Sequence, residues 1–339
     1  MAKSTRRPRI KTPPVLFAKT QAAISRIQKH VDGAFLSYWT SPGGSVCDND
    51  VMALHEVLEA TGAQRHITLF VKSDGGSAMA SLRMIHLLRK YTRRLTVLAP
   101  LNCASAATML ALGADEIAMG PLSYLTAVDT SLEHDLSPVD HTNHLVAVSN
   151  DEVDRVIRLW KETVNVRRSD NVNPYQELYK YLHPLVIGAL DRASSLSLML
   201  CREILAYHMK DAKKADRISR RLNSSYPAHQ YPITSREARK LGLKINDIEP
   251  GLDRLLLELN LLYSEMGQRA ITDFDEENHH DNEITNILES KSLQVFYQVE
   301  KDWHYRKEER RWVSMNDSSC WYRCHPKAGR VAKEKFHIR

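Results

Sequence analysis

Between Ala34 and Met119 the chain repeats one local pattern three times, and that repeat constrains the fold more than any other feature. An apolar run (Ala34 to Trp39) leads through Ser41-Pro42-Gly43-Gly44-Ser45 into a segment with Val51, Met52, Leu54, Val57 and Leu58 at helical spacing. Ile67 to Val71 then leads through Ser73-Asp74-Gly75-Gly76-Ser77 into an amphipathic helix. Leu95 to Ala99 leads through Asn102-Cys103-Ala104-Ser105 into a third helix, and Asp115 to Met119 reads as a short strand. Apolar runs too short for helices, alternating with segments of period 3.6, predict parallel strands with helical crossovers and an α/β core. The small residues at each turn are what a backbone needs where it approaches another group closely.

The remaining chain predicts mostly helix. Residues 130–148 are polar and read as loop, and Ser149 or Asn150 caps a helix with Val153, Val156, Ile157 and Trp160 on one face. Helices are expected over Leu185 to Met209 and Asp211 to Leu222. The proline-punctuated loop Ser224 to Ile233 precedes a helix over Ser235 to Leu241, with Thr234 as N-cap and Gly242 as C′ glycine. Asp253 to Met266 is amphipathic and leucine-rich. Three segments are expected: a flexible basic arm over 1–19, a domain over 20–267, and an accessory extension over 268–339.

Composition narrows the class. Hydrophobic residues make up 43% of the 339 and charged residues 26%, as in ordinary soluble domains. Five scattered cysteines suit a reducing compartment and free thiols. No signal-peptide pattern is visible at the start, and the most apolar stretch, Leu185 to Met209, is broken by Asp191, Arg192, Arg202 and Glu203. A cytoplasmic location without a membrane span is therefore expected. The net charge of +6 is concentrated in basic tails with no basic–aromatic motif, so nucleic acid is not an expected partner.

Ser105 could serve chemistry. Amide hydrolysis by serine needs a hydroxyl, a base and donors for the oxyanion. Ser105 opens a helix among small residues, the Ala106 N–H follows it, and Gly75 and Gly76 lie one turn away. On local sequence alone the plainer reading is that Ser105 caps its helix.

Val71-Lys72-Ser73-Asp74-Gly75-Gly76-Ser77, followed by Ala104-Ser105-Ala106-Ala107-Thr108-Met109 and Ala114-Asp115-Glu116-Ile117, resembles the Clp protease and signal-peptide-peptidase superfamily. More narrowly it resembles the serine dehydrogenase proteinase family. Ser105 follows Gly76 by 29 residues, matching that family's spacing, whereas the better-looking Gly43-Gly44 lies one strand–helix unit too far away and reads as an ordinary turn. The resemblance implies a Clp/crotonase fold of repeated strand–strand–helix units with an α-helical elaboration, a serine peptidase acting on peptide or protein, no metal or organic cofactor, and self-association into a homo-oligomer. The Asp253 to Met266 stripe is a candidate surface for that association.

Three bases come with the resemblance. A Clp-type histidine points to His134, and a signal-peptide-peptidase lysine to Lys161, 56 residues after Ser105. The serine dehydrogenase proteinase pattern points to Asp129 and to His229, which opens His229-Gln230-Tyr231-Pro232-Ile233 ahead of Glu237-Ala238-Arg239-Lys240-Leu241-Gly242-Leu243. The implied triad is Ser105, Asp129 and His229, with Gly75, Gly76 and Ala106 as oxyanion donors. Thr126-Ala127-Val128-Asp129-Thr130-Ser131 departs from the family's Gly-Pro-Ile-Asp-Pro-Gln segment, which leaves open an Asx-turn role for Asp129 and an inactive scaffold or binding module as the function. An acyl-CoA reaction of crotonase type would need no serine at 105. Cys320, Cys324 and His325, with His279 and His280, are too irregularly spaced for a zinc motif.

Overall fold

The computed structural model describes residues 8–129, 131–132, 134–141, 144–163 and 173–338. Residues 1–7 of the expected arm, and Thr130, lie outside the described residues. The chain forms two compact units, Met1–Leu125 with Ile233–Arg339, and Thr126–Pro232. The division therefore falls at 125/126 and 232/233, not at the expected 267/268.

The first unit begins with α1 (Phe17–Ile27), β1 (Ala34–Thr40), α2 (Asp48–Thr61), β2 (Gln64–Lys72), α3 (Ala78–Tyr91) and β3 (Thr92–Ala99). It continues through β4 (Asn102–Cys103), α4 (Ala106–Leu112), β5 (Glu116–Met119) and β6 (Tyr124–Leu125). The second unit holds β7 (Ser131–Leu132), β8 (Val148–Ser149), α5 (Asn150–Thr163), α6 (Pro174–Leu178), α7 (Pro184–Ala206) and α8 (Ala212–Ser224). The chain then re-enters the first unit with α9 (Ser235–Leu241), β9 (Ile245–Asp247) and α10 (Pro250–Met266). It ends in β10 (Ala270–Asp273), β11 (Asn278–Ser290), β12 (Leu293–Arg306), β13 (Arg311–Asp317), β14 (Cys320–Lys327) and β15 (Arg330–Phe336).

The main sheet of the first unit runs β15-β14-β12-β11-β1-β2-β3-β5-β9, with β10 on β11 and β13 on β12. From β1 to β9 neighbours are parallel. Ile67, Leu69, Phe70 and Val71 of β2 are all fully buried, as a parallel strand covered on both faces requires. After each of the first three strands the chain makes a second, short extended pairing before its helix begins. Val46 bridges Gly76, Ser73 bridges Cys103, and Cys103 pairs Leu125. This is the strand–strand–helix repeat of the expected α/β architecture.

The carboxyl-terminal residues extend this sheet. β11 pairs antiparallel with β1, and β12, β14 and β15 follow in order. Residues 268–339 are thus structural members of the first unit, where an accessory extension was expected. The apolar stripe of α10 is likewise spent internally: Leu252, Leu256, Leu259, Tyr263 and Met266 pack with Trp39, Phe70, Ile284, Ile287 and Phe296. Each such side chain contributes about 1.5–3 kcal/mol by burial, which removes the stripe as a surface for self-association.

In the second unit Ser149 and Glu152 form the reciprocal capping box that starts α5. α7, by length and composition, is long and apolar enough to cross a membrane; its Val186, Leu190, Leu200, Cys201, Ile204 and Leu205 are buried, the first two in a cluster with Val153, Ile157 and Leu182.

Candidate active site

The two turns singled out by spacing are stitched together within the first unit. The Ser73 N–H donates to the Asn102 carbonyl at 3.1 Å, and the Ala104 N–H donates to the Ser73 carbonyl at 3.0 Å. Gly75 has φ 112°, and a Cβ built on it would stand 2.6 Å from Ser105 Cβ, 2.9 Å from the Ala104 oxygen and 3.2 Å from the Ala106 nitrogen. Only glycine fits there, and its backbone lies directly against Ser105. Gly76, at φ 142°, packs instead on Val46, whose oxygen would be 2.4 Å from an added Cβ. The Gly43-Gly44 turn closes on itself, with Gly44 N–H on the Ser41 carbonyl, and packs on Thr285. It serves as an ordinary turn.

Ser105 is held at φ 51°, ψ −118°, a conformation that L-residues rarely adopt. Its side chain makes no capping bond to α4, so helix capping does not account for its presence. Strain of this kind costs about 1–3 kcal/mol and persists only where the surroundings impose it. They do so here: Thr108 Oγ1 donates to the Cys103 carbonyl at 2.7 Å, and Ser81 Oγ donates to the Ala106 carbonyl at 2.7 Å. The Ala106 N–H, at the first position of α4, belongs to the set that helix geometry leaves without an intrahelical acceptor. The Gly75 N–H is already engaged, donating to Ser73 Oγ at 3.2 Å.

In the second unit Asp129 and His229, one hundred residues apart, meet side chain to side chain with Oδ1 2.7 Å from Nδ1. That contact leaves Asp129 with more than an Asx-turn role. The preceding residue is pinned from both sides, since Val128 N–H donates to the Leu222 carbonyl at 3.0 Å and Ser197 Oγ donates to the Val128 carbonyl at 2.7 Å. The His229 loop is braced by the stacked rings of Tyr226 and Tyr231, 5.1 Å apart, and by Arg155, which holds both Asp151 and the Tyr226 carbonyl. The hydrogen bond to Asp129 raises the His229 pKa despite partial burial, because the carboxylate stabilises the imidazolium. With Nδ1–H directed at Asp129, the neutral imidazole presents Nε2 as its acceptor.

The other candidate bases have different surroundings. Lys161 is exposed on α5 and lines a surface cleft of about 440 Å³ with Asp154, Arg158, Glu162 and Tyr175, without the burial that a lysine base requires. His134 Nδ1 accepts the Leu136 N–H at 3.1 Å and shapes its own loop. His280 pairs with Asp302 at 2.8 Å, and among the described residues no three His, Cys, Asp or Glu side chains gather as a metal site.

The main-chain anchors of the three stretches are adjacent in the first unit. Cys103, two residues before Ser105, pairs with Leu125, four residues before Asp129. Leu125 in turn pairs with Ile233, four residues after His229, through N–H···O bonds of 3.0 and 2.8 Å in both directions. Sequence reasoning missed Ser73, Ser197 and Arg155. Of these only Ser73 carried a signal, its position two residues before Gly75.

No family model matches the sequence, and no curated protein matches it. Among solved structures, two mutant forms of the 1510-N membrane-bound stomatin-specific protease are similar, one of them in complex with a substrate peptide. Each is 14% identical with a TM-score of 0.37 and covers 67% of this chain; the match spans 83% of the first and 78% of the second.

Proposed function

We propose that the chain is a serine peptidase of serine dehydrogenase proteinase type, with Ser105 as nucleophile, His229 as general base and Asp129 as its orienting carboxylate. The observation that carries the proposal is the run of neighbouring pairings Cys103–Leu125–Ile233, from which all three stretches depart within two to four residues. The strained φ of Ser105 and the preformed Asp129–His229 pair support the same roles.

In the proposed reaction Ser105 Oγ bonds to the scissile carbonyl carbon while its proton passes to His229 Nε2. The oxyanion is met by the Ala106 N–H and by an amide of the Gly75-Gly76 turn. The C–N bond then breaks, the amine leaves with the proton from His229, and water releases the acyl group by the reverse sequence. Asp129 keeps the proton of the resting imidazole on Nδ1 and stabilises the imidazolium. The reaction requires His229 Nε2 to come within hydrogen-bond reach of Ser105 Oγ. A peptide or protein substrate and a homo-oligomeric state belong to the same proposal.

A fluorophosphonate probe tests the assignment. Labelling is expected in the wild type and in Lys161→Ala, and is expected to vanish in Ser105→Ala and in His229→Ala. Loss of labelling in Lys161→Ala alone would transfer the base to the lysine and sink the triad. A folded wild type that takes no label would favour the scaffold reading, which draws on the engaged Gly75 N–H.

A further inference from the structure

Ser73 is fully buried at the end of β2, with its backbone bridged to Cys103. Its hydroxyl oxygen accepts twice, from Gly75 N–H at 3.2 Å and from Thr40 Oγ1–H at 2.9 Å, and Thr40 is also fully buried. The amide it holds belongs to the glycine whose backbone lies against Ser105 Cβ and the Ala106 nitrogen. A donor N–H already bonded to a neutral oxygen is not free for a neutral carbonyl, because binding one means giving up the other.

We propose that Ser73 is a positioning residue that masks the oxyanion donor: its hydroxyl holds the Gly75 N–H in the resting protein and yields it when negative charge develops on the substrate oxygen. The inference rests on the serine-peptidase reading and adds a regulated donor to it. Its physical basis is the difference between acceptors. An N–H bonded to an oxyanion is roughly twice as strong as one bonded to a neutral hydroxyl, so the alkoxide displaces Ser73 Oγ where a ground-state carbonyl does not. The Gly75 amide thus stabilises the transition state selectively, and the mask imposes a constant cost on reaching it. The 3.2 Å length makes the masking bond one of the weaker of its type. Thr40 holds the Ser73 oxygen in place, so the mask is part of the fold rather than a mobile loop.

The test is the second-order rate of fluorophosphonate labelling at Ser105 in the wild type, Ser73→Ala and Ser73→Cys. Removing the hydroxyl unmasks the amide, so Ser73→Ala is expected to label about two- to tenfold faster, the range set by one neutral hydrogen bond. Ser73→Cys keeps the bulk with a poorer acceptor and is expected to fall between the other two. A gain in rate is an outcome that loss of structural support cannot produce. Labelling of a folded Ser73→Ala at or below the wild-type rate would overturn the mask while leaving the nucleophile assignment standing. Should the alanine variant not fold, a Ser73→Cys rate equal to or below that of the wild type has the same force. Absence of label on the wild type removes the peptidase reading first, and the mask with it.

Discussion

Replacing Ser105 separates backbone strain from chemistry. The residue sits at φ 51°, ψ −118°, where a Cβ is crowded and glycine is at ease. The strain amounts to about 1–3 kcal/mol for a non-glycine residue. Glycine carries a countervailing cost of about 0.4–1 kcal/mol, since it enlarges the freedom of the unfolded chain. Comparing Ser105→Gly with Ser105→Ala removes the hydroxyl from both and leaves the Cβ as the difference. Glycine is therefore expected to be the more stable by about 1 kcal/mol, in the same direction as the ordinary preference for glycine over alanine at a helix N-cap. In urea, with m of about 1–3 kcal/mol/M, the midpoint of the glycine variant should lie about 0.3–1 M above that of the alanine variant at equal m. Both variants are expected to lack labelling. An alanine variant as stable as the glycine variant, or more so, would refute the claim that the turn is strained to display this side chain.

Further outcomes follow from the same geometry. Gly75→Ala, which places a Cβ 2.6 Å from Ser105 Cβ at positive φ, is expected to lower stability by about 3 kcal/mol or more and to abolish labelling, read by urea unfolding and the probe. Burial raises the pKa of Asp50 to about 6 and of Glu289 to about 7, although Tyr38 and Asn286 bond the first and Thr20, Gln21, Gln294 and Tyr263 bond the second. Between about pH 4 and 7 these two groups hold protons in the folded chain that the unfolded chain has released, so their contribution to stability falls as pH rises through that window, on the order of 3 kcal/mol from Glu289 alone. Glu289→Gln should flatten this slope, and a slope unchanged in that variant would contradict the assignment. Because Asp129 raises the His229 pKa and the base must be neutral, the acid limb of kcat/KM against pH should move to lower pH in Asp129→Asn, with a drop of up to about 10⁴ in rate from the wrong tautomer. Ser197→Ala, which frees the Val128 carbonyl, should weaken the Asp129–His229 pair and lower the His229 titration midpoint, observable by NMR of the ring protons.

The α/β core was legible because its strands are apolar on both faces and its turns are punctuated by glycine and serine. Ile67 to Val71 and Leu95 to Ala99 could hardly be read otherwise. α5, α7, α8 and α9 were legible from their caps and apolar faces, and Gly242 has the left-handed φ of 95° expected of a C′ glycine. The carboxyl-terminal sheet was not legible as strands, and the reason is physical. β11 buries polar side chains whose partners lie mostly outside the strand: Asn286 on Asp50, Glu289 on Thr20 and Tyr263, Asn282 on Gln298. Such a strand has no apolar alternation to read. Its aromatic neighbours, Tyr297 against Trp321 and Phe296 against Tyr322, are cross-strand pairs whose register exists only after folding. At the site, Ser105 and Gly75 were singled out by order and spacing and Asp129 and His229 by a motif; the last two side chains meet at 2.7 Å. The engagement of the Gly75 amide by Ser73 depends on a side-chain rotamer, which no sequence pattern encodes.

The central claim is that Ser105 and His229 act on one bond. An experimental structure of the fluorophosphonate-treated protein tests it most directly. The account predicts phosphorus bonded to Ser105 Oγ, its oxygen about 3 Å from the Ala106 nitrogen and from an amide of Gly75-Gly76, and His229 Nε2 within hydrogen-bond reach of the adduct with Asp129 still on Nδ1. Phosphorus on another residue, or an adduct on Ser105 with His229 remote from it, would contradict it.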